Sequence, residues 1–589
     1  MTNGRTLQAE LSDIDTQIEE LNKQLASLKQ QKRRLEERKE ALERRLDARS
    51  KESSDSSSAW ESTDYAWSSR VNNILSQTFH IDSFRPMQLS AINATLSGED
   101  VLLVMSTGGG KSLTYQLPAL VSAGVTLVVS PLVSLMEDQL FQLSKLGIDA
   151  AVFSQSTTKE EAARINNNLT DPKGSLRLLY VTPEKLAKSK RMMAKLEKCN
   201  ELKLLRRIAI DEVHCCSQWG HDFRPDYKFL NVLKRQFPNV PVLGLTATAT
   251  VDVIDDVKEM LGIRGALVFR APFNRPNLFY SVRPKPAKAV DVISELVNTI
   301  NSEFRAQSGI IYVFSRKEAE DVTEALRSHG IKARFYHADL TPESRTRVHE
   351  SWITGTTQVI VATVAFGMGI DKPNVRFVIH HSMAKSVETY YQESGRAGRD
   401  GEAAHCVVYY RLADLFRQST MVCTETTGLP KLYEMLRYCL TRHVCRRVLL
   451  ADHFGESWEP DWCAAHCDAC AATTRLSQRS ETSAISHCAE IRACIRKQTQ
   501  KITGAKLVDT WLKQATKKHR LDQMNAERVV AELLLEGYLR EDFHFTPYNI
   551  ISYMMTSEKA VPPITPHNVG PSPKRAKVQD SAPDVLTLE

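Results

Sequence analysis

Apolar positions change their spacing several times along the chain, and each change marks a different kind of element. From Leu7 to Leu46 they recur three and four apart, through Leu11, Ile14, Ile18, Leu21, Leu25, Leu28, Leu35 and Leu42, with Lys32 and Lys39 in the two gaps. This is a heptad seam, and a helix bearing such a stripe cannot cover it alone. The spacing predicts a coiled-coil helix over residues 1–49 that joins copies of the chain into a homo-oligomer. An amphipathic arm folded on its own protein has the same spacing. Residues 50–59 are Ser-rich and acidic without an apolar period, and read as a linker.

Beyond Trp60 the seam gives way to short continuous apolar runs. Val101–Val104, Thr126–Val129, Leu178–Val181, Ile208–Ile210 and Val242–Leu245 read as buried strands separated by helical stretches. Ile310–Val313, Val359–Val361, Phe377–Ile379 and Cys406–Tyr409 repeat the scheme. The alternation predicts two α/β lobes, 60–274 and 275–411, each a parallel sheet with helices on both faces. The uncharged stretch Ser112–Met136 imitates a membrane span, but Pro118, Gly124 and Pro131 divide it into helix, turn and strand, so no membrane partner is expected. Helical spacing returns at Ala505–Ala515 and Ala526–Glu536, then leads into Gly537–Tyr548, where aromatic residues crowd two short strand signals. Helices followed by such a hairpin predict a winged-helix domain over 483–555. Residues 556–589 are rich in Pro and polar residues and read as a disordered tail.

The net charge of +7 over 589 residues fits a polyanionic partner without demanding one. Twelve cysteines without an N-terminal secretory signal point to a reducing compartment, where clustered thiols bind metal. Cys445, Cys463, Cys467 and Cys470 stand in the spacing C-x17-C-x3-C-x2-C, which suits a closed, structural Zn²⁺ site within a helical subdomain at 412–482. Cys439, Cys488 and Cys494 lie near enough to exchange places with one of the four. In the tail, Pro573-Lys574-Arg575-Ala576-Lys577-Val578 has the make-up of a nuclear import signal, and equally of a solvated basic tail.

The sharpest chemistry follows the first strand. Met105-Ser106-Thr107-Gly108-Gly109-Gly110-Lys111-Ser112 has the P-loop pattern with Met at the first Gly position. Its glycines let backbone N–H groups converge on phosphates, Lys111 reaches the β/γ-phosphates and Ser112 ligates Mg²⁺. The strand Ile208–Ile210 ends in Asp211 and Glu212, a metal-binding acid beside one that positions water, which with the P-loop point to nucleotide hydrolysis, with ATP as the nucleotide only by the resemblance below. Thr246 and Thr248 follow another strand, where an open sheet places its ligands. In the second lobe Arg396 and Arg399 flank the glycine turn of Gln392-Glu393-Ser394-Gly395-Arg396-Ala397-Gly398-Arg399 and can stabilise charge on a transferring phosphoryl group.

In their order, these parts resemble helicase superfamily two and within it the RecQ family of DNA helicases. The carriers are Phe84-Arg85-Pro86-Met87-Gln88, the P-loop, Asp211-Glu212-Val213-His214, Thr246-Ala247-Thr248-Ala249, Ala365-Phe366-Gly367-Met368-Gly369-Ile370-Asp371-Lys372-Pro373 and Gln392 through Arg399. The run Cys215–Pro225, containing Trp219 and Phe223, is similar to the aromatic-rich loop that separates this family from RNA-unwinding relatives. The resemblance implies two RecA-like doubly wound lobes. It implies that Arg85 and Gln88 read adenine, Thr107 through Ser112 cradle phosphates, Asp211 holds Mg²⁺, Glu212 handles the attacking water and His214 relays the nucleotide state. Trp219, Phe223 and Arg224 are then expected to couple single-stranded DNA to hydrolysis, aromatic faces stacking on bases and Arg pairing with phosphate. Arg396 and Arg399 become arginine fingers.

A duplex-splitting hairpin is also implied, with Phe543 as its tip aromatic; His544 and Phe545 compete for that place. The expected activity is 3′–5′ unwinding of forked or tailed duplex DNA in DNA repair, replication or recombination. In its short length the chain most resembles the small animal members of the family, the type with an N-terminal oligomerising arm. The rivals are an RNA-remodelling ATPase and an annealing scaffold that uses ATP only as a switch.

Overall fold

The computed structural model describes residues 59–154, 157–217, 224–367, 372–456, 458–472, 484–519 and 521–560. The predicted coiled coil at 1–49, the linker up to residue 58 and the basic tail from 561 lie outside the described residues. The chain divides into two compact units, Met1–Leu476 and Ser477–Glu589.

Seven parallel strands form the first sheet: β1 (Val101–Val104), β2 (Val125–Val129), β3 (Ala150–Phe153), β4 (Leu178–Val181), β5 (Leu205–Ile210), β6 (Val242–Thr246) and β7 (Leu267–Arg270), in the order β3-β4-β2-β5-β6-β1-β7. Every residue of β2, β4 and β6 is buried, as continuous apolar runs require when helices cover both faces. Alternate residues feed opposite cores, with Leu127 and Val129 on one side and Val128 on the other. The strands run the same way, so the C-terminal ends of β5, β6 and β1 lie side by side along one edge. Val104 pairs with Thr246, and Ile210 with Gly244.

The second sheet is also all parallel: β8 (Leu278–Pro284), β9 (Ser308–Tyr312), β10 (Ala333–Tyr336), β11 (Val359–Ala362), β12 (Val375–His380) and β13 (Ala404–Tyr410), in the order β10-β11-β9-β12-β13-β8. Helices Leu412–Val422, Gly428–Leu440 and Arg446–Phe454 follow it, with two short turns at Pro460–Cys463 and Asp468–Ala472. This helical region is bolted to β8. Arg446 is buried; its Nε and Nη2 donate to the two Asp468 carboxylate oxygens at 2.7 and 3.1 Å, and its Nη1 to the Tyr438 carbonyl at 2.6 Å. Asp468 in turn accepts the Val282 N–H at 2.8 Å. Burying a lone guanidinium costs several kcal/mol, and acceptors at all three nitrogens offset it here.

In the second unit, helices Ile485–Arg496, Gly504–His519 and Gln523–Leu535 pack around Leu507, Trp511, Val530 and Leu533. They precede an antiparallel hairpin of β14 (Leu539–Phe545) and β15 (Ile550–Thr556). Its register corrects the expected tip. Phe543 pairs with Ser552 inside the ladder, and Phe545 with Ile550 closes it. The apex is Thr546-Pro547-Tyr548-Asn549, where Tyr548 is 98% exposed. A Pro at the second turn position fixes the bend there and leaves the next side chain outermost.

Candidate active site

The first half of the site is built at the end of β1. Met105 is buried, its N–H donating to the Thr246 carbonyl at 3.0 Å, and the chain then turns through Ser106–Lys111 into the helix Leu113–Val121. Gly108 (φ +78) and Gly110 (φ +90) occupy the left-handed region that glycine enters freely. A Cβ on Gly108 would meet the Arg399 side chain at 2.9 Å, and one on Gly110 the Gln88 amide at 2.5 Å. Arg85 donates to the Gly108 carbonyl; Gln88 Nε2 donates to the Gly110 carbonyl at 3.0 Å, while its Oε1 accepts the Arg85 N–H at 2.8 Å. Arg85 and Gln88 therefore brace the loop directly. Lys111 Nζ donates to the Met105 carbonyl at 3.1 Å, and burial lowers its pKa against the opposing pull of Glu212 and Asp211.

At the end of β5, burial and then the Glu212 charge push the Asp211 carboxyl up to about 7, while Lys111 pulls it back. Such a group favours a nearby cation, so the acidic pair fits a divalent metal. Glu212 holds φ +48, a conformation that costs a side-chain-bearing residue about 1–2 kcal/mol. Its N–H donates to Asp211 Oδ1 at 3.0 Å, and Tyr227 anchors the same bend by donating to the Asp211 backbone carbonyl at 3.0 Å. His214 joins β5 to β6, with Nδ1 at 2.9 Å from Thr246 Oγ1. Burial, then Lys111, drives its pKa down to about 3, so it works as a neutral imidazole. The Thr246 hydroxyl thus faces a histidine rather than open solvent.

The second half comes from the other sheet. Ser386 caps the helix Val387–Ser394, accepting the Thr389 N–H at 3.1 Å, and that helix delivers the turn Gly395–Arg399. Arg396 is buried, and Arg399 lies along Gly108. Both arginines depress the Lys111 pKa, so the two lobes place three cations around one small volume. The turn is held from below. Arg275 donates to the carbonyls of Gly395 (3.3 Å), Ala397 (3.0 Å) and Gly398 (2.7 Å), and to that of Thr107 in the P-loop (3.3 Å). Asn277 Nδ2 adds bonds to the carbonyls of Gly398 and Glu402. Sequence reasoning missed Arg275, Asn277 and Tyr227, since groups that bind main-chain carbonyls or hold a carbonyl in place leave no spacing to find.

Of the residues expected to meet DNA, Trp219 and Phe223 lie outside the described residues. Arg224 donates to the Pro131 carbonyl at 3.2 Å. With His214, Tyr312, Thr363 and Arg396 it lines a cavity of about 520 Å³ within the first unit.

The four predicted thiolates do converge. The sulfurs of Cys445, Cys463, Cys467 and Cys470 lie within 4.8 Å of one another, with Cys445 and Cys467 at 4.0 Å. A tetrahedral Zn²⁺ with Zn–S bonds of about 2.3 Å sets its sulfurs roughly 3.8 Å apart, so the cluster fits that ion. Cys439 is buried in the helix Gly428–Leu440, and Cys488 and Cys494 sit on Ile485–Arg496 in the second unit; none belongs to the cluster.

Comparison with known proteins agrees with this geometry. The DEAD/DEAH box helicase family matches residues 85–257, the helicase conserved C-terminal domain 288–401, and the RecQ zinc-binding domain 412–471. These matches define an ATP-dependent helicase. The ATP-dependent DNA helicase Q1 of Pongo abelii is 50% identical over 501 residues, covering 84% of this chain and 77% of its own, and that of Mus musculus is 50% identical over 502 residues, covering 83% and 77%. A Caenorhabditis elegans protein carrying the same Q1 designation is 55% identical over 502 residues, covering 84% and 79%. The chain belongs to the RecQ family of ATP-dependent DNA helicases. It is an enzyme that unwinds DNA, with a four-cysteine zinc site beside its second lobe. Among the described residues no helix is long and apolar enough to cross a membrane.

Proposed function

We propose that residues 60–274 and 275–411 act as two motor lobes that close on ATP and step along one DNA strand in the 3′–5′ direction. The observation that carries the reading is Arg399 lying against Gly108: a second-lobe cation already stands where a first-lobe loop would present phosphates. Thr107 through Ser112 cradle the phosphates and Lys111 binds the β/γ pair, while Arg85 and Gln88 hold adenine beside the loop they brace. Mg²⁺, when held by Ser112 and Asp211, supplies neutralisation of phosphate charge. Glu212 orients the attacking water and accepts its proton, and Arg396 and Arg399 stabilise charge on the transferring phosphoryl group. His214, bonded to Thr246 and lining the same cavity as Arg224, relays the state of the site toward the strand that Arg224, Trp219 and Phe223 hold.

The helices and hairpin of 483–555 serve as a winged helix. Tyr548, rather than Phe543, is its wedge, because a ring at the turn apex can stack on the last base pair while one inside the ladder is spent on packing. The arm 1–49 joins copies of the chain, and the basic tail directs it to the nucleus, where tailed and forked duplexes of DNA repair, replication and recombination are its substrates. Unwinding of a duplex bearing either a 3′ or a 5′ single-stranded tail, with and without ATP, tests the reading. ATP-dependent opening of the 3′-tailed substrate alone supports it. Strand annealing that persists in Lys111→Ala, with no unwinding by the unaltered protein, would favour a scaffold.

A further inference from the structure

We propose that Arg275 is a positioning residue for ATP hydrolysis and that Arg447 holds it in place. The proposal rests on the reading of Arg396 and Arg399 as the phosphate-facing cations. Arg275 lies between the last strand of the first sheet and the first strand of the second, in the segment Ala271–Asn277. Among the described residues its guanidinium forms no bond to a carboxylate. It donates instead to three successive parts of the turn that bears both arginines, Gly395, Ala397 and Gly398, and from the same fork to Thr107 of the P-loop. One planar group therefore registers the arginine turn against the phosphate loop. Gly398 at φ +56 lies so close to Asn277 Nδ2 that no side chain fits there, so the turn needs glycine at the point Arg275 and Asn277 hold.

Arg275 is itself supported. Arg447 is 1% exposed; its Nη1 donates to Asn274 Oδ1 at 2.8 Å and to the Arg275 carbonyl at 3.2 Å, its Nη2 to the Leu278 carbonyl at 2.7 Å, and its guanidinium lies over the Tyr280 ring. Neutral acceptors repay the desolvation of a cation poorly, so stability alone is a weak reason for burying it there. Arg447 sits two residues after the zinc ligand Cys445, so the metal-bound region grips the segment that carries the clasp.

The test uses the full chain with single-stranded DNA. Arg275→Gln should lower kcat for ATP hydrolysis about 10- to 100-fold, the range that small misplacement of a reacting group produces. Affinity for a fluorescent non-hydrolysable ATP analogue should change less than about threefold, while affinity for ADP with aluminium fluoride falls in step with kcat. Arg447→Met should show the same split at smaller amplitude with bound zinc unchanged. Equal loss of kcat and analogue affinity, or loss of neither, overturns the proposal. Should Arg275→Gln fail to fold, Arg275→Lys replaces it, expected to show a reduced kcat with intact analogue binding; wild-type values in both assays would overturn it. Arg399→Ala run alongside separates the two layers. If Arg399→Ala hydrolyses ATP normally, the underlying assignment fails; if it is impaired and Arg275→Gln is not, only the clasp fails.

Discussion

The two lobes share a plan and divide the chemistry. Each is a parallel sheet, yet the first contributes a glycine loop, a lysine and two acids from the ends of its strands, and the second contributes two arginines on a turn braced at the start of β12. In the proposed reading the first lobe alone holds phosphate and metal. What it lacks, in that reading, is the charge of Arg396 and Arg399, which the second lobe holds beside the P-loop. An enzyme arranged this way separates nucleotide binding from nucleotide cleavage, because the second depends on the relation between lobes.

Substitutions on either side should break that division differently. Glu212→Gln removes the proton acceptor and should lower DNA-stimulated ATPase about 10³-fold with ATP affinity retained; normal turnover would refute the role. Arg399→Ala should cost about 10²- to 10³-fold in kcat, less than loss of a sole arginine finger because Arg396 remains; a rise in KM without a fall in kcat would place the arginine in binding alone. Tyr548→Ala belongs to neither lobe and should leave ATPase intact while slowing unwinding roughly tenfold, the scale of one lost stacking contact. Parallel loss of both activities would mean that the hairpin supports the motor instead of splitting duplex.

The smallest effect is on stability. Burial would lower the His453 pKa, but Glu388, at the start of the arginine-bearing helix, and Glu434 override it and raise it to about 9 from 6.5. A folded-state pKa above the unfolded one stabilises fully below pH 6.5 and loses that contribution as pH rises through 9. His453→Gln should therefore be less stable by on the order of 2–3 kcal/mol at acidic pH. Its denaturation midpoint should converge with wild type above pH 9; a constant gap across that range would exclude the ion pairs as the cause.

How far the sequence could be read follows strand position. The apolar runs found β1, β2, β4, β5 and β6 in one sheet and β9, β11, β12 and β13 in the other, all of them interior strands. The four that escaped, β3, β7, β8 and β10, are the four sheet edges. An edge strand pairs on one side only and is less covered, so Arg283 and Arg334 interrupt β8 and β10, Arg270 cuts β7 short, and β3 is half alanine. The P-loop, the acids, the two arginines and the zinc cysteines were legible because their spacing is itself the chemistry. Tyr548 was hidden by a register that Pro547 settles, and Arg275 by a role that consists of binding other residues' carbonyls.

Uniform strand direction has one more consequence. In the first sheet it puts the turns that enter strands on the edge away from the P-loop and the acids. Gly262, on the path into β7, faces open space where a side chain would project, as does Gly330, on the path into β10, the edge strand farthest from β8 in its sheet. Chain lengthening at either place adds surface without shifting a phosphate contact, so these are the sites where insertions and fused tags are expected to be accepted.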